Sequence, residues 1–236
     1  MKIERGPITV QRATERIKQQ LKKMISDSKF PHELKIDGDC EKIKELKTEA
    51  VLQHYGAPTR FLDLVDNHWI ALWMGLNRFE IIKNYLTYCR YRERTITYVD
   101  SVLTGVSEDE LYQYILLIAL PNGNVVTSGI YESDEYVIMD LRQALPSIFL
   151  RPHAQHAIVA KVRKNRTEFG KKYYDMSKSV VGIIKVRVDR VHDWIGSGEL
   201  LTQNSLFPPA AYDYGYDILL TRNDLFDETF KIARYV

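Results

Sequence analysis

The chain has 236 residues, of which 45% are hydrophobic, 27% charged and 11% aromatic. These proportions sit near the globular average and exclude a disordered chain, a collagen-like repeat or a disulfide scaffold. With 33 basic against 31 acidic residues the formal charge is +2, so total charge neither demands nor excludes a nucleic-acid partner, and any electrostatic reading rests on local clustering. Cys40 and Cys89 are too few and too far apart for a zinc site built on cysteine pairs. They read as the reduced thiols of a cytoplasmic protein. No run approaches the ~18–20 apolar residues of a membrane span. The charged start of the chain does not read as a signal peptide.

The spacing of Ala13, Ile17, Leu21 and Met24 or Ile25 predicts a helix over 9–28 with a basic opposite face. Pro31, Asp37, Gly38 and Asp39 break it. Ile43, Leu46, Ala50 and Val51 predict a second helix over 40–52, stopped by Gly56 and Pro58. A third is expected from Asn67 to Tyr88, with Asp66 or Asn67 as cap. Its start, Trp69 to Met74, is apolar on every side, which predicts burial.

Strands dominate the second half. Residues 116–120 and 125–126 flank Pro121-Asn122-Gly123 and read as two strands joined by a tight turn. Residues 136–139, 148–150, 157–160 and 180–188 read as further strands, the last alternating as if one face were wet. Helices over 191–200 and 223–234 are expected to close the chain. Helices first and strands later, without βαβ alternation, predict an α+β fold with N-terminal helices on a mainly antiparallel sheet. The whole of 1–236 is expected to form one domain.

Phosphate-loop, dinucleotide-fold and nucleophile-elbow glycine motifs are missing. His153 and His156 read as hydrogen-bonded histidines, not metal ligands. Two segments cluster basic and aromatic residues: 83–94 with Lys83, Arg90, Arg92 and Arg94, and 161–178 with Lys161, Arg163, Lys171 and Lys172. Such segments suit contact with nucleic acid, while solvated surface is the plainer reading.

The most unusual stretch is Gln53-His54-Tyr55-Gly56-Ala57-Pro58-Thr59-Arg60-Phe61-Leu62-Asp63. Gly56 and Pro58 force an irregular path between helices, and Thr59, Arg60 and Asp63 then offer polar groups on a rigid base. An Arg60–Asp63 pair that merely holds the turn is an equally physical outcome. The stretch closely resembles the signature of the FRG domain family, Gln-His-Tyr-Gly-Leu-Pro-Thr-Arg-Leu-Leu-Asp-Trp, with the following Ala-Leu-aromatic helix matched by Ala71-Leu72-Trp73. Arg5-Gly6, Arg151 to Gln155 and Leu206-Phe207-Pro208 resemble the family's other landmarks. Glu4 stands where an aromatic is usual, and Leu64 where a tryptophan is.

The family is typical of bacteria and phages, and the resemblance implies a toxin or phage-defence setting. The order of its landmarks is also similar to the three-part NAD site of ADP-ribosyltransferases. That likeness implies an ADP-ribosyltransferase-like fold and NAD as the bound molecule. It gives catalytic roles to His54, Arg60 and Gln155 and cofactor-binding roles to Arg5, Tyr55, Thr59 and Trp69. His54 would act as base or orienter, Gln155 on ribose hydroxyls, and Tyr55 or Trp69 by stacking on nicotinamide. Beside Gln155 no obvious catalytic carboxylate stands in sequence, and Glu132, Glu135 and Glu168 are candidates by proximity alone. The alternative is a non-catalytic module that binds a nucleotide, nucleic acid or partner protein.

Overall fold

Helix α1 (Glu41–His54) realises the expected spacing: Ile43, Leu46, Ala50 and Val51 are all buried. Its last turn closes through Tyr55 N–H to the Val51 carbonyl and Ala57 N–H to the Leu52 carbonyl. Gly56, at φ +96°, makes that close possible. The computed structural model describes residues 40–57, 59–83, 87–95, 105, 108–121, 123–163, 166–168, 171–173, 176–196, 200–221 and 232–235, with residues 19, 23 and 26. Those three isolated residues are helical, and the rest of the helix expected over 9–28 lies outside the described residues.

Beyond α1 come β1 (Leu62–Val65), α2 (His68–Leu76), β2 (Asn77–Lys83), β3 (Thr87–Glu93), α3 (Glu108–Leu111), β4 (Tyr112–Ile118), β5 (Asn124–Thr127), β6 (Ile130–Glu132) and β7 (Tyr136–Asp140). Then follow α4 (Leu141–Ala144), α5 (Leu150–Ala154), β8 (Ala157–Val162), β9 (Arg166–Glu168), β10 (Lys171–Tyr173) and β11 (Val180–Arg187). The chain closes through α6 (Val188–Ile195), α7 (Gln203–Leu206), α8 (Tyr214–Thr221) and β12 (Arg234–Tyr235). Helices and sheets are mixed, as the α+β expectation requires; the five-stranded sheet is antiparallel throughout, whereas β12 joins β3 in parallel. The main sheet has the order β1-β8-β7-β6-β5. The other described sheets are β12-β3-β2, β11-β4 and β10-β9.

Two apolar clusters hold these elements. One packs α1 against the main sheet and α8, through Leu52, Met139, Val159, Phe149 and Leu219. The other joins α2, α6 and α7 through Trp73, Leu76, Val191 and Phe207. Asn67 caps α2, its side-chain oxygen accepting from the N–H groups of Trp69 (2.9 Å) and Ile70 (3.4 Å).

Four expectations need correction. The helix expected over 67–88 stops at Leu76, and residues 77–93 form the β2–β3 hairpin. Pairing across the strands is what the helix reading missed: Glu80 faces Arg90 and Phe79 faces Tyr91, an ion pair and a ring contact that need two strands. Strands do form near 116–120 and 125–126, but they do not pair with each other. β5 turns back into β6 through Ser128-Gly129, with Gly129 at φ +71°, a two-residue turn of the kind hairpins favour. β4 instead pairs with β11, more than 60 residues on in sequence. Residues 148–150 are not a strand; α5 begins at Leu150, and its Pro152 sits in the first turn, where a helix tolerates proline. The helix expected over 223–234 lies largely outside the described residues, and its last position, Arg234, is in β12.

Apolar positions on every side of α2 have a different cause from full burial. Ile70, Leu72, Trp73 and Leu76 enter the core, whereas Ala71, Met74 and Gly75 face a cleft. Trp69 is exposed. The alternation in β11 is similar: Ile184 is open and lines the same cleft, while Val188 is buried at the start of α6.

Candidate functional site

An open cleft of about 1160 Å³ runs between α2, β1, β4 and the C-terminal strand. The end of α1 delivers His54 to it, and β1 delivers Asp63. Tyr91 comes from β3, Gln155 from the end of α5, Phe207 from the end of α7 and Tyr235 from β12. Six elements, most of them far apart in sequence, therefore contribute to the lining.

The polar centre is built by the unusual stretch itself. Gln53 Oε1 accepts from the Thr59 hydroxyl (2.8 Å) and the Thr59 backbone N–H (3.1 Å). Its amide nitrogen is thereby turned toward Asp63 and donates to Oδ2 at 3.0 Å. His54 Nδ1 lies 3.6 Å from the other carboxylate oxygen. His54 is nearly fully buried, whereas the Asp63 side chain is 49% exposed, and what it faces is the cleft. Enclosure pushes the Asp63 carboxyl up, but contact with His54 and the Gln53 hydrogen bond outweigh this and hold it below the ordinary aspartate range. Nε2 of His54 is buried and has no partner among the described residues.

Aromatic rings face this carboxylate. Tyr91 and Phe207 are 4.5 Å apart between centroids, and Phe207 stacks on Tyr235 at 5.2 Å. Burial raises the Tyr91 hydroxyl well above its usual value and the Tyr235 hydroxyl to about 12, so both remain neutral phenols. Gln155 is buried and donates its amide to the Leu206 carbonyl at 2.7 Å. Its carbonyl oxygen is left as an acceptor for a ligand hydroxyl.

Behind the rings stands Arg151, wholly buried. Its guanidinium carbon lies 4.4 Å from the Tyr55 and Tyr235 ring centroids, 4.6 Å from Tyr216 and 5.3 Å from Phe207. Nη1 donates to the His54 carbonyl at 3.3 Å, and the backbone N–H to Asp213 Oδ2 at 3.1 Å.

His54 and Gln155 line the cleft, and Thr59 acts on it through Gln53. Arg60 does not line it. Its guanidinium makes a bidentate pair with buried Glu49, Nε at 2.7 Å and Nη2 at 2.5 Å, and Lys161 joins the same carboxylate at 3.1 Å. The pair expected with Asp63 is thus replaced by one with α1. Tyr55 cannot stack on a ligand here: it is fully buried, lies against Tyr216 and donates its hydroxyl to Asp213 at 2.6 Å. Trp69 is exposed beside His68, and it is His68 that faces the cleft. Arg5 lies outside the described residues. The carboxylates that line the cleft are Asp63 and Asp66, the latter paired with Arg142, and not Glu132, which pairs with Lys42 and Arg163. Asp63, which the stretch offers as a partner for Arg60, lines the cleft instead.

The basic segments are largely engaged within the chain. Arg90 and Arg92 pair with Glu80, and Arg94 donates to the carbonyls of Gly75, Glu110 and Tyr112. Arg163 donates to the Ser133 carbonyl. The side chains over 164–175, Lys171 and Lys172 included, lie outside the described residues. Cys40 is exposed and Cys89 buried, and both are free thiols. Among the described residues no helix is long and apolar enough to cross a membrane, and no cluster of histidine, cysteine and acidic side chains could hold a metal ion.

Residues 6–80 match the family model of the FRG domain. The match takes in α1, β1, α2 and most of β2, and with them the stretch that builds the His54–Asp63 centre. No curated protein and no solved structure matches the chain significantly.

Proposed function

We propose that the cleft binds NAD and breaks its bond between nicotinamide and ribose, passing ADP-ribose to water or to an acceptor, in a toxin or phage-defence setting. One observation carries this reading: a carboxylate held ionised, Asp63, shares a cleft with the stacked rings of Tyr91, Phe207 and Tyr235. The nicotinamide ring of NAD is a cation. Aromatic faces attract a desolvated cation by roughly 2 kcal/mol, and a fixed anion favours it further.

The chemistry suits these groups. As the C1′–N bond breaks, its electron pair moves onto the ring nitrogen, nicotinamide leaves neutral, and positive charge develops on the ribose. An anion placed where that charge appears lowers the barrier. The Gln155 carbonyl oxygen suits a ribose hydroxyl. The incoming water or acceptor hydroxyl bonds to C1′ and gives up its proton to the His54–Asp63 pair. Thr59 acts at one remove, by orienting Gln53 and so Asp63.

Incubation of the protein with NAD, followed by chromatography for nicotinamide, is the direct test. Release that is abolished in Asp63→Asn supports the reading. A folded protein that neither binds NAD calorimetrically nor releases nicotinamide overturns it.

A further inference from the structure

Two nitrogens of the Arg151 guanidinium, Nε and Nη2, lack a hydrogen-bond partner among the described residues, and the side chain is 0% exposed. These two donors form one edge of the guanidinium, the parallel pair that grips two oxygens of a phosphate or carboxylate. The remaining nitrogen, Nη1, is used on the His54 carbonyl. The open groups are thus one intact recognition edge and not a random remainder.

The surroundings make this edge costly to leave empty. A buried donor without a partner costs about 1–3 kcal/mol, and more on a charged group. The rings of Tyr55, Tyr216, Tyr235 and Phe207 compensate the charge through their π faces but accept no in-plane hydrogen bond. The carboxylate bonded to this residue, Asp213, reaches its backbone N–H and not the fork, and is shared with the Tyr55 hydroxyl and the Tyr216 N–H. The position is also one layer from the cleft: His54, Phe207 and Tyr235 touch Arg151 on one side and line the cleft on the other.

We infer that Arg151 is an oxyanion subsite one layer beneath the cleft, taking a phosphate or carboxylate group of the bound ligand on its Nε–Nη2 edge, with Phe207 and Tyr235 as the ring wall the group passes. The inference stands on the unpartnered fork and does not depend on NAD turnover. It accounts for an arginine kept in an aromatic box where a methionine would pack at lower cost, since an uncompensated buried charge is unfavourable unless a partner arrives.

The test is titration of the full chain, followed by NMR at the Arg151 Nε–H, with inorganic pyrophosphate in one arm and benzoate in the other. The resonance is assigned by its loss in Arg151→Lys. A saturable shift of the Nε–H signal in either arm is expected, and the arm that saturates names the oxyanion. In a parallel calorimetric titration, Arg151→Lys, which keeps the charge and loses the fork, is expected to bind the same probe about tenfold or more weakly. If that variant does not fold, Phe207→Leu leaves the fork intact while altering the wall and is expected to change the rate of anion exchange at the Nε–H. An Nε–H signal that no concentration of either anion moves overturns the inference and leaves the fork to buried water. Anion binding by a protein that neither binds NAD nor releases nicotinamide would support this subsite while removing the NAD reading. Nicotinamide release with no anion response would do the reverse.

Discussion

Nδ1 of His54 lies 3.6 Å from Oδ1 of Asp63, across the turn that opens at Gly56. The two residues are nine positions apart, on a helix end and an edge strand, and only the turn brings them together. Asp63→Asn keeps the shape and the Gln53 contact but removes the anion. Nicotinamide release is expected to fall by about a hundredfold or more, with little change in melting temperature, because the side chain is half open. An unchanged rate in this variant removes Asp63 from the chemistry.

Arg60 has the opposite profile. Its guanidinium grips Glu49, which is 1% exposed, and Lys161 alone cannot replace that bidentate pair. Arg60→Ala is expected to lower stability by roughly 3 kcal/mol, toward the lower end for a broken buried pair because Lys161 remains. Urea unfolding measures this. Lost activity at full stability would instead return Arg60 to the site.

Much of this was legible in the sequence, and the limits were physical. The helix ending near His54, the Asn67 cap and the strands at 136–140, 157–162 and 180–187 follow from local spacing and capping chemistry. The β2–β3 hairpin did not, because Glu80–Arg90 and Phe79–Tyr91 are long-range pairs whose worth appears only once two strands meet. The stretch from Gln53 to Asp63 announced itself as polar groups on a sharp turn. Which of them face inward did not: Arg60 chose Glu49, eleven residues earlier on α1, and Asp63 was left for the cleft. The aromatic wall was hidden for the same reason, since Tyr91, Phe207 and Tyr235 share no sequence neighbourhood.

Acid sensitivity follows from the buried carboxylates. Burial pushes the Glu49 carboxyl up, but the bonds and charges of Arg60 and Lys161 outweigh it, and its pKa falls below the ordinary value. Asp140 is likewise raised by burial and more strongly lowered by Arg142. A carboxyl depressed in the folded state contributes stability above its unfolded pKa of about 4 and loses it as pH falls through the folded value. The melting temperature is therefore expected to drop steeply below about pH 4. Glu49→Gln should start lower at neutral pH and show a shallower acid drop. A parallel drop in both proteins would exclude Glu49 as a contributor.

Gly56 links the stretch to the end of the chain. Its φ of +96° is one that side chains with a Cβ adopt at a cost of about 1–2 kcal/mol. A Cβ there would also lie 2.6 Å from the Cβ of Ala233, next to the N–H that donates to the Tyr55 carbonyl at 3.2 Å. Gly56→Ala must therefore push residues 233–235 away, and with them Tyr235, whose ring closes both the cleft and the Arg151 box. The variant is expected to lose stability by more than the backbone term alone and to expose Tyr235, read as a rise in its hydrogen–deuterium exchange and in near-ultraviolet signal change. His54 and Asp63 would stay on α1 and β1, so ligand affinity should suffer more than the polar centre itself. A variant of wild-type stability with an unchanged C-terminal strand would show that this junction is looser than the contact distance implies.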